Sequence, residues 1–287
     1  MLNSNKIRFC FYGLLLVAFV LSGVDTNAQE KIKEKTKEKS YSRDFCSNDW
    51  SNGDKISSRD LRETTVSGSS LTVDGKRNGG ISVKGENRAD ILIRACVQGW
   101  GNSEAEAQSL VKSVRIETGG TVQAVGGTDE NGWSVSYQIL VPRNTNLNLT
   151  TLNGGIGIEN VDGTIEFSAK NGGIHLSNLA GDVRGRTTNG GLHIELTGNT
   201  WKGNGLDVET TNGGVHLTMA ENYSARFETR TVNGGFKSDI AALQVEREKD
   251  DNGNYRRQGV NFTRDLNGGG ALVRVITTNG GVHIGSN

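Results

Sequence analysis

The chain has 287 residues with 32 basic against 32 acidic side chains, so no strongly basic field draws it to nucleic acid or to an anionic membrane. Forty glycines stand against one proline, Pro142. The glycines are not at every third position and apolar alternation surrounds them, which excludes collagen and disordered glycine-rich chains.

The N-terminus reads as an export signal. Lys6 and Arg8 precede an apolar run from Phe9 to Leu21, and Thr26-Asn27-Ala28 offers small residues for cleavage before Gln29. The run is short for a membrane span, which needs about 20 residues, so no transmembrane segment is expected after cleavage. Residues 1–28 are therefore assigned to a signal peptide and the protein to the periplasm, cell surface or medium. The stretch "EKIKEKTKEKSYSR" mixes acids and bases without an apolar face, and residues 29–60 read as a charged flexible tether. Cys46 and Cys96 survive cleavage, an even pair that permits a disulfide in an oxidising compartment.

Residues 61–142 read as a small α+β cap. "ADILIRACVQGW" and "WSVSYQILV" have the texture of long strands. Between them Ser103 and Glu106 form a capping box, and Ala107, Leu110, Val111 and Val114 line one helical face. Trp100 and Trp133 are expected to pack in this cap. Asn78-Gly79-Gly80 suggests an isolated early repeat.

From residue 143 to 287 the chain repeats. Asn-Gly-Gly starts at Asn78, Asn153, Asn171, Asn189, Asn212, Asn233, Asn267 and Asn279, and from Asn153 the first four intervals are 18, 18, 23 and 21 residues. Six residues before the Asn stand Leu147, Ile165, Val183, Leu206, Phe227 and Val273; three after it stand Ile156, Ile174, Leu192, Val215, Phe236 and Val282. Mostly polar columns lie between the apolar ones, a period of two, so each unit is strand, corner, strand. Threonine recurs two residues before the Asn, and outward columns alternate in charge, as in Glu166, Arg184 and Asp207, although Glu228 breaks that series. These features favour a single-chain parallel β-solenoid, all-β and β-helix-like, over a meander of hairpins. The corners at Asn153, Asn171, Asn189, Asn212, Asn233 and Asn279 are read as structural turns, with glycine supplying positive φ and asparagine amides bonded from rung to rung. Asn267 falls out of phase after "VEREKDDNGNYRRQGVNF", read as a protruding hairpin that shields a sheet edge.

The repeats, with "LAGDVRGRTTNGGLHIEL", "GLDVETTNGGVHL" and "YSARFETRTVNGGF", resemble a large bacterial family of exported proteins of unknown function, labelled "putative adhesin", over residues 145–287. The resemblance implies a β-solenoid domain and carries no catalytic residues.

Chemistry is sparse. The chain has no G-x-S-x-G, Walker A, H-E-x-x-H or C-x-x-C motif. Asp162 and Asp182 read as turn residues. Trp201, in the longest repeat interval, is the candidate for stacking on a sugar; Trp50 is the fourth tryptophan. His175, His193, His216 and His283 each stand four residues after an Asn of the repeat. Alternation points His175, His193 and His216 outward, which makes them the candidate metal ligands, with His193 and His216 the sharper pair for weak divalent-metal binding. The function expected is a non-enzymatic envelope scaffold or adhesin-like binding protein without cofactor. It would meet a surface polymer, an envelope protein or its own copies. The alternatives are a carbohydrate-active β-helix enzyme, either polysaccharide lyase or hydrolase, and a metal-binding surface protein.

Overall fold

The computed structural model describes residues 45–47, 54–126, 132–245 and 259–287. The expected signal peptide, Trp50 and most of the charged insertion lie outside them.

In chain order, strands β1 (Ile56–Val66), β2 (Ser70–Asp74), β3 (Ile81–Glu86) and β4 (Ile91–Gly101) lead to helix α1 (Glu104–Ser113). Then come β5 (Arg115–Glu117), β6 (Thr121–Val125), β7 (Trp133–Pro142), β8 (Asn146–Asn153), β9 (Ile156–Glu159), β10 (Asp162–Asn171) and β11 (Ile174–Ser177). They are followed by β12 (Ala180–Asn189), β13 (Leu192–Glu195), β14 (Gly205–Asn212), β15 (Val215–Met219), β16 (Ala225–Asn233) and β17 (Phe236–Ser238). Beyond a 3₁₀ turn at Ala241–Leu243 lie β18 (Val260–Leu266), β19 (Leu272–Asn279) and β20 (Val282–Ser286).

These strands form two ten-stranded sheets, mostly parallel and solenoid-like. One runs β1-β4-β7-β3-β9-β11-β13-β15-β20-β17, the other β18-β16-β19-β14-β12-β10-β8-β2-β6-β5. Each in-phase Asn-Gly-Gly unit sends its first strand to one sheet and its second to the other, so a unit is a rung. A meander would pair neighbours in antiparallel register; the rungs instead pair in parallel, Ile165 opposite Val183 and Ile174 opposite Leu192. The apolar columns of both sheets share one core: Leu147, Ile165, Val183, Leu206, Phe227 and Val273 are all buried, as are Ile156, Ile174, Leu192, Val215 and Val282. Each such side chain contributes about 1.5–3 kcal/mol by leaving water.

Two departures from the expected order stand out. First, the unit at Asn78 is not isolated: β2 pairs with β8 and β3 with β9, so both sheets run unbroken past residue 142. Second, the last two rungs are exchanged. β19 lies between β14 and β16, and β20 between β15 and β17, although the chain makes β16 and β17 first. β18 then returns antiparallel along β16 and covers that edge of its sheet, the described part of the insertion expected to do so.

The helix is not at the N-terminus of the chain; four strands precede it. Ser103 accepts the Glu106 amide, and the Glu106 carboxylate reaches the Asn102 amide at 2.8 Å. Ala107 and Val111 are buried. A Cβ at Gly99 would stand 2.9 Å from the Ala107 carbonyl oxygen, so glycine on β4 is what lets α1 come this close. Arg62 donates to the carbonyls of Val111 and Val114, satisfying the helix C-terminus. β1 begins at Ile56, inside the stretch read as tether, and Cys46 is bonded to Cys96 of β4 with Cα atoms 5.5 Å apart.

Candidate functional site

The corner carries the first ordered surface. Asn153 donates its side-chain amide to Asn78, Asn171 to Asn153, Asn189 to Asn171, Asn212 to Asn189, Asn279 to Asn212 and Asn233 to Asn279, at 2.7–3.2 Å. Every amide points the same way along the stack. Behind five of these six donors sits a buried threonine: the hydroxyls of Thr151, Thr187, Thr210, Thr231 and Thr277 donate to the first glycine carbonyl of an adjacent rung. The corresponding position of the remaining rung is Ala169.

The corner glycines are needed for a reason other than the expected one. None of Gly154, Gly172, Gly190, Gly213 or Gly280 has positive φ. A Cβ on any of them would overlap the carbonyl of the first glycine one rung away. Close approach of stacked backbones, rather than left-handed geometry, imposes glycine there. Positive φ appears instead at the out-of-phase unit, where Asn267, Gly268, Gly269 and Gly270 all adopt it and turn β18 into β19. The repeat pattern does not reveal a second corner: Asn160 and Asn178 both have positive φ, Asn178 donates to Asn160 at 2.5 Å, and Thr197 donates to Asn178. Two asparagines are too few to announce a column.

Beside the asparagine ladder runs a groove of about 1320 Å³ that crosses several rungs. Arg77, Lys170 and Arg186 line it, exposed and without an ion pair among the described residues, together with Lys76, Asp74 and Glu209. Lys76 is held by Asp74 at 3.0 Å. Thr150, Ser168, Thr188 and Thr211 add hydroxyls, and Trp133 closes one side of the wall with its indole N–H buried and, among the described residues, unpartnered. Tyr137, buried on the same strand as Trp133, also has a hydroxyl without a partner among the described residues; burial, then the charge of Asp74, raise its pKa well above the ordinary phenol value.

The second surface is the histidine column. His175 pairs in register with His193, His193 with His216, and His216 with His283. All four point away from the core, as alternation implies, along a groove of about 900 Å³. Partial burial lowers the His193 pKa, the charges of His216 and then His175 lower it further, and Glu195 opposes them. Among the described residues no group of three or more His, Cys, Asp or Glu side chains is arranged to hold a metal ion.

Trp201 does not offer a face to a sugar. It is 7% exposed, and its Nε1 donates to the Gly181 carbonyl at 3.0 Å, so the ring closes the flank of a rung. Asp162 and Asp182 are not register partners: Asp162 lies opposite Ala180 and Asp182 opposite Thr164. Trp133 is buried on β7, while Trp100 on β4 is partly exposed. No helix among the described residues is long and apolar enough to cross a membrane.

The arrangement is that of a mostly parallel, solenoid-like β protein with ordered polar outer ladders. The chain matches no family model and no curated protein. Among solved structures it is similar to a "putative cell adhesion protein" from Clostridium sporogenes, with a TM-score of 0.42 and 9% identity over 80% of this chain and 100% of that one. It is also similar to a "putative adhesin" from Bacteroides fragilis, with a TM-score of 0.30 and 10% identity over 79% of this chain and 97% of that one. A "putative lipid binding protein" from Parabacteroides distasonis follows, with a TM-score of 0.26 and 9% identity over 81% and 97% of the two chains. At these values the likeness assigns neither a site nor an activity.

Proposed function

We propose that this chain is an exported, non-enzymatic, adhesin-like binding protein. In this reading its rungs form one single-chain solenoid that engages a linear acidic polymer of the cell surface. The observation that carries the reading is the groove beside the asparagine ladder, where Arg77, Lys170 and Arg186 have no ion pair among the described residues and line a wall built of stacked rungs. Rungs stacked about 4.8 Å apart repeat the asparagine amides along one line beside these side chains, which suits an extended ligand better than a compact one. Unpaired cations favour carboxylate, sulfate or phosphate groups, and arginine takes them bidentately. The Cys46–Cys96 bridge supports an oxidising compartment outside the cytoplasm.

Binding to immobilised acidic and neutral polysaccharides tests this directly. Retention on the acidic polymers, lost on raising salt and in Lys170→Glu/Arg186→Glu, is the expected result. Equal retention of that variant would overturn the assignment of the groove. Release of oligosaccharide from the polymer would move the protein to the carbohydrate-active class.

A further inference from the structure

The histidine column is not uniform along its length. His175 and His193 stack with ring centroids 5.1 Å apart and planes 8° from parallel. His193 and His216 stack at 4.9 Å and 20°. In such near-parallel stacks the nitrogen lone pairs lie in the ring planes and point side by side rather than at one another, whereas a shared ion needs both nitrogens aimed at it from about 2.0–2.1 Å. His193 and His216, the pair suggested by sequence, are therefore poorly placed to share a metal.

At the next rung the stack breaks. The His283 ring is tilted 55° against His216, and the two Nδ1 atoms stand 3.1 Å apart. Two imidazole lone pairs at that distance repel unless a positive centre lies between them, either a proton in an N–H···N bond or a metal ion. On its other side, His283 turns Nε2 toward Asp239, whose Oδ2 is 3.4 Å away. That contact is an ion-pair approach and not a formed hydrogen bond, because the buried Nε2 has no hydrogen-bond partner among the described residues. A carboxylate there favours the tautomer with the proton on Nε2, which leaves Nδ1 free to coordinate.

We propose that His216 and His283 are the two protein ligands of a divalent transition-metal site, with Asp239 as the residue that orients His283. An ion about 2.0–2.1 Å from both nitrogens would subtend an angle of roughly 100° between them, close to what tetrahedral and octahedral shells require. Imidazole donors suit zinc, nickel and copper, whereas calcium and magnesium prefer oxygen. The protein supplies two ligands and leaves the remaining positions open on the groove side to water or to a donor from a bound partner. Lys237, next in register beyond His283, also reaches Asp239, at 3.5 Å, so that carboxylate faces both an imidazole and an ammonium. The site exists because of the rung exchange: in chain order Lys237 would separate His216 from His283.

The site is independent of the polymer groove, and its test shares no readout with the one above. Zinc is titrated calorimetrically into the full exported chain without an affinity tag near neutral pH, and copper EPR counts the coordinating nitrogens. One ion per chain and two coordinating nitrogens are expected. His216→Gln and His283→Gln should each weaken binding at least tenfold, and Asp239→Asn roughly tenfold to a hundredfold. His175→Gln should leave it unchanged. The column holds Gly157 and Lys237 on other rungs, so these variants should keep their circular dichroism. Equal affinity in His283→Gln, equal loss in His175→Gln, or no binding at millimolar zinc would each overturn the site. The last outcome would assign the 3.1 Å approach to a shared proton.

Discussion

Arg274 of β19 donates to Glu228 of β16 at 3.1 Å, although the chain makes Glu228 46 residues earlier. On its other side the same guanidinium holds Asp207 of β14. Along the sheet the outward column thus runs Glu166, Arg184, Asp207, Arg274, Glu228, opposite in sign at every step. In chain order Asp207 and Glu228 would have been neighbours and repelled. Burial weakens the charge of Arg274, and the bonds and charges of Asp207 and Glu228 more than restore it, so its pKa is raised. Arg274→Met keeps the stem and removes the charge, leaving two carboxylates without their common partner. Because all three groups are partly exposed, a loss of about 1–2 kcal/mol in urea unfolding is expected, shrinking at high salt.

The two glycines of a corner should respond oppositely to alanine. A Cβ at Gly172 would overlap the Gly154 carbonyl, whereas one at Gly173 would sit 3.6 Å from the Gly191 oxygen, an ordinary contact. Gly172→Ala must push neighbouring rungs apart and is expected to cost more than about 3 kcal/mol, beyond the range of a common point substitution. Gly173→Ala should stay within about 1 kcal/mol of the parent by the same measure. Similar midpoints for both variants would refute close approach as the reason for the motif.

Ala169 interrupts the threonine column between Thr151 and Thr187, both of which donate to a glycine carbonyl of an adjacent rung. Ala169→Thr should place its hydroxyl on the Gly154 carbonyl. A gain of about 0.5–1.5 kcal/mol is expected, the net worth of one hydrogen bond. Thermal unfolding would show it as a raised midpoint.

Tyr223 is buried, and burial pushes its pKa up to about 12. Its folded form keeps the proton at a pH where the unfolded chain has lost it, so stability is fully present below pH 10 and falls as pH rises from 10 toward 12. Tyr223→Phe should remove some of that alkaline loss, read as a shallower dependence of the unfolding midpoint on pH. Tyr137→Phe should do the same. At neutral pH it should also cost nothing measurable, because the hydroxyl it deletes is buried without a partner among the described residues.

The Cys46–Cys96 bridge spans a sequence separation of 50 residues. Restricting a loop of that size in the unfolded chain is worth roughly 4 kcal/mol on the chain-entropy account, so Cys46→Ser/Cys96→Ser should lose about 2–4 kcal/mol. Mass spectrometry of the protein isolated without reductant should find neither thiol free.

The periodic region of the molecule is legible in the residues themselves. Alternation fixes which side of a strand faces the core, so the columns at Leu147 and Ile156 and the outward histidines follow from spacing alone. Trp201 is not legible in that way, because its position in the longest interval says nothing of burial, which depends on what the flanking rung leaves open. Spacing also identifies the corner glycines but not their cause, since only the stacked backbone reveals how near the next carbonyl lies.

What the sequence determined by itself is the rung: strand, Asn-Gly-Gly corner, strand, with core and solvent faces set by a period of two. Only the tertiary structure decided which rung lies against which. Parallel pairing depends on hydrogen bonds and side-chain ladders that any rung could offer any other, and a period carries no address. Glu228, the residue that spoiled the charge alternation, was the one local sign of the exchange. Its partner, Arg274, arrives 46 residues later, and the pairing became visible only when the chain had folded back between two of its own rungs.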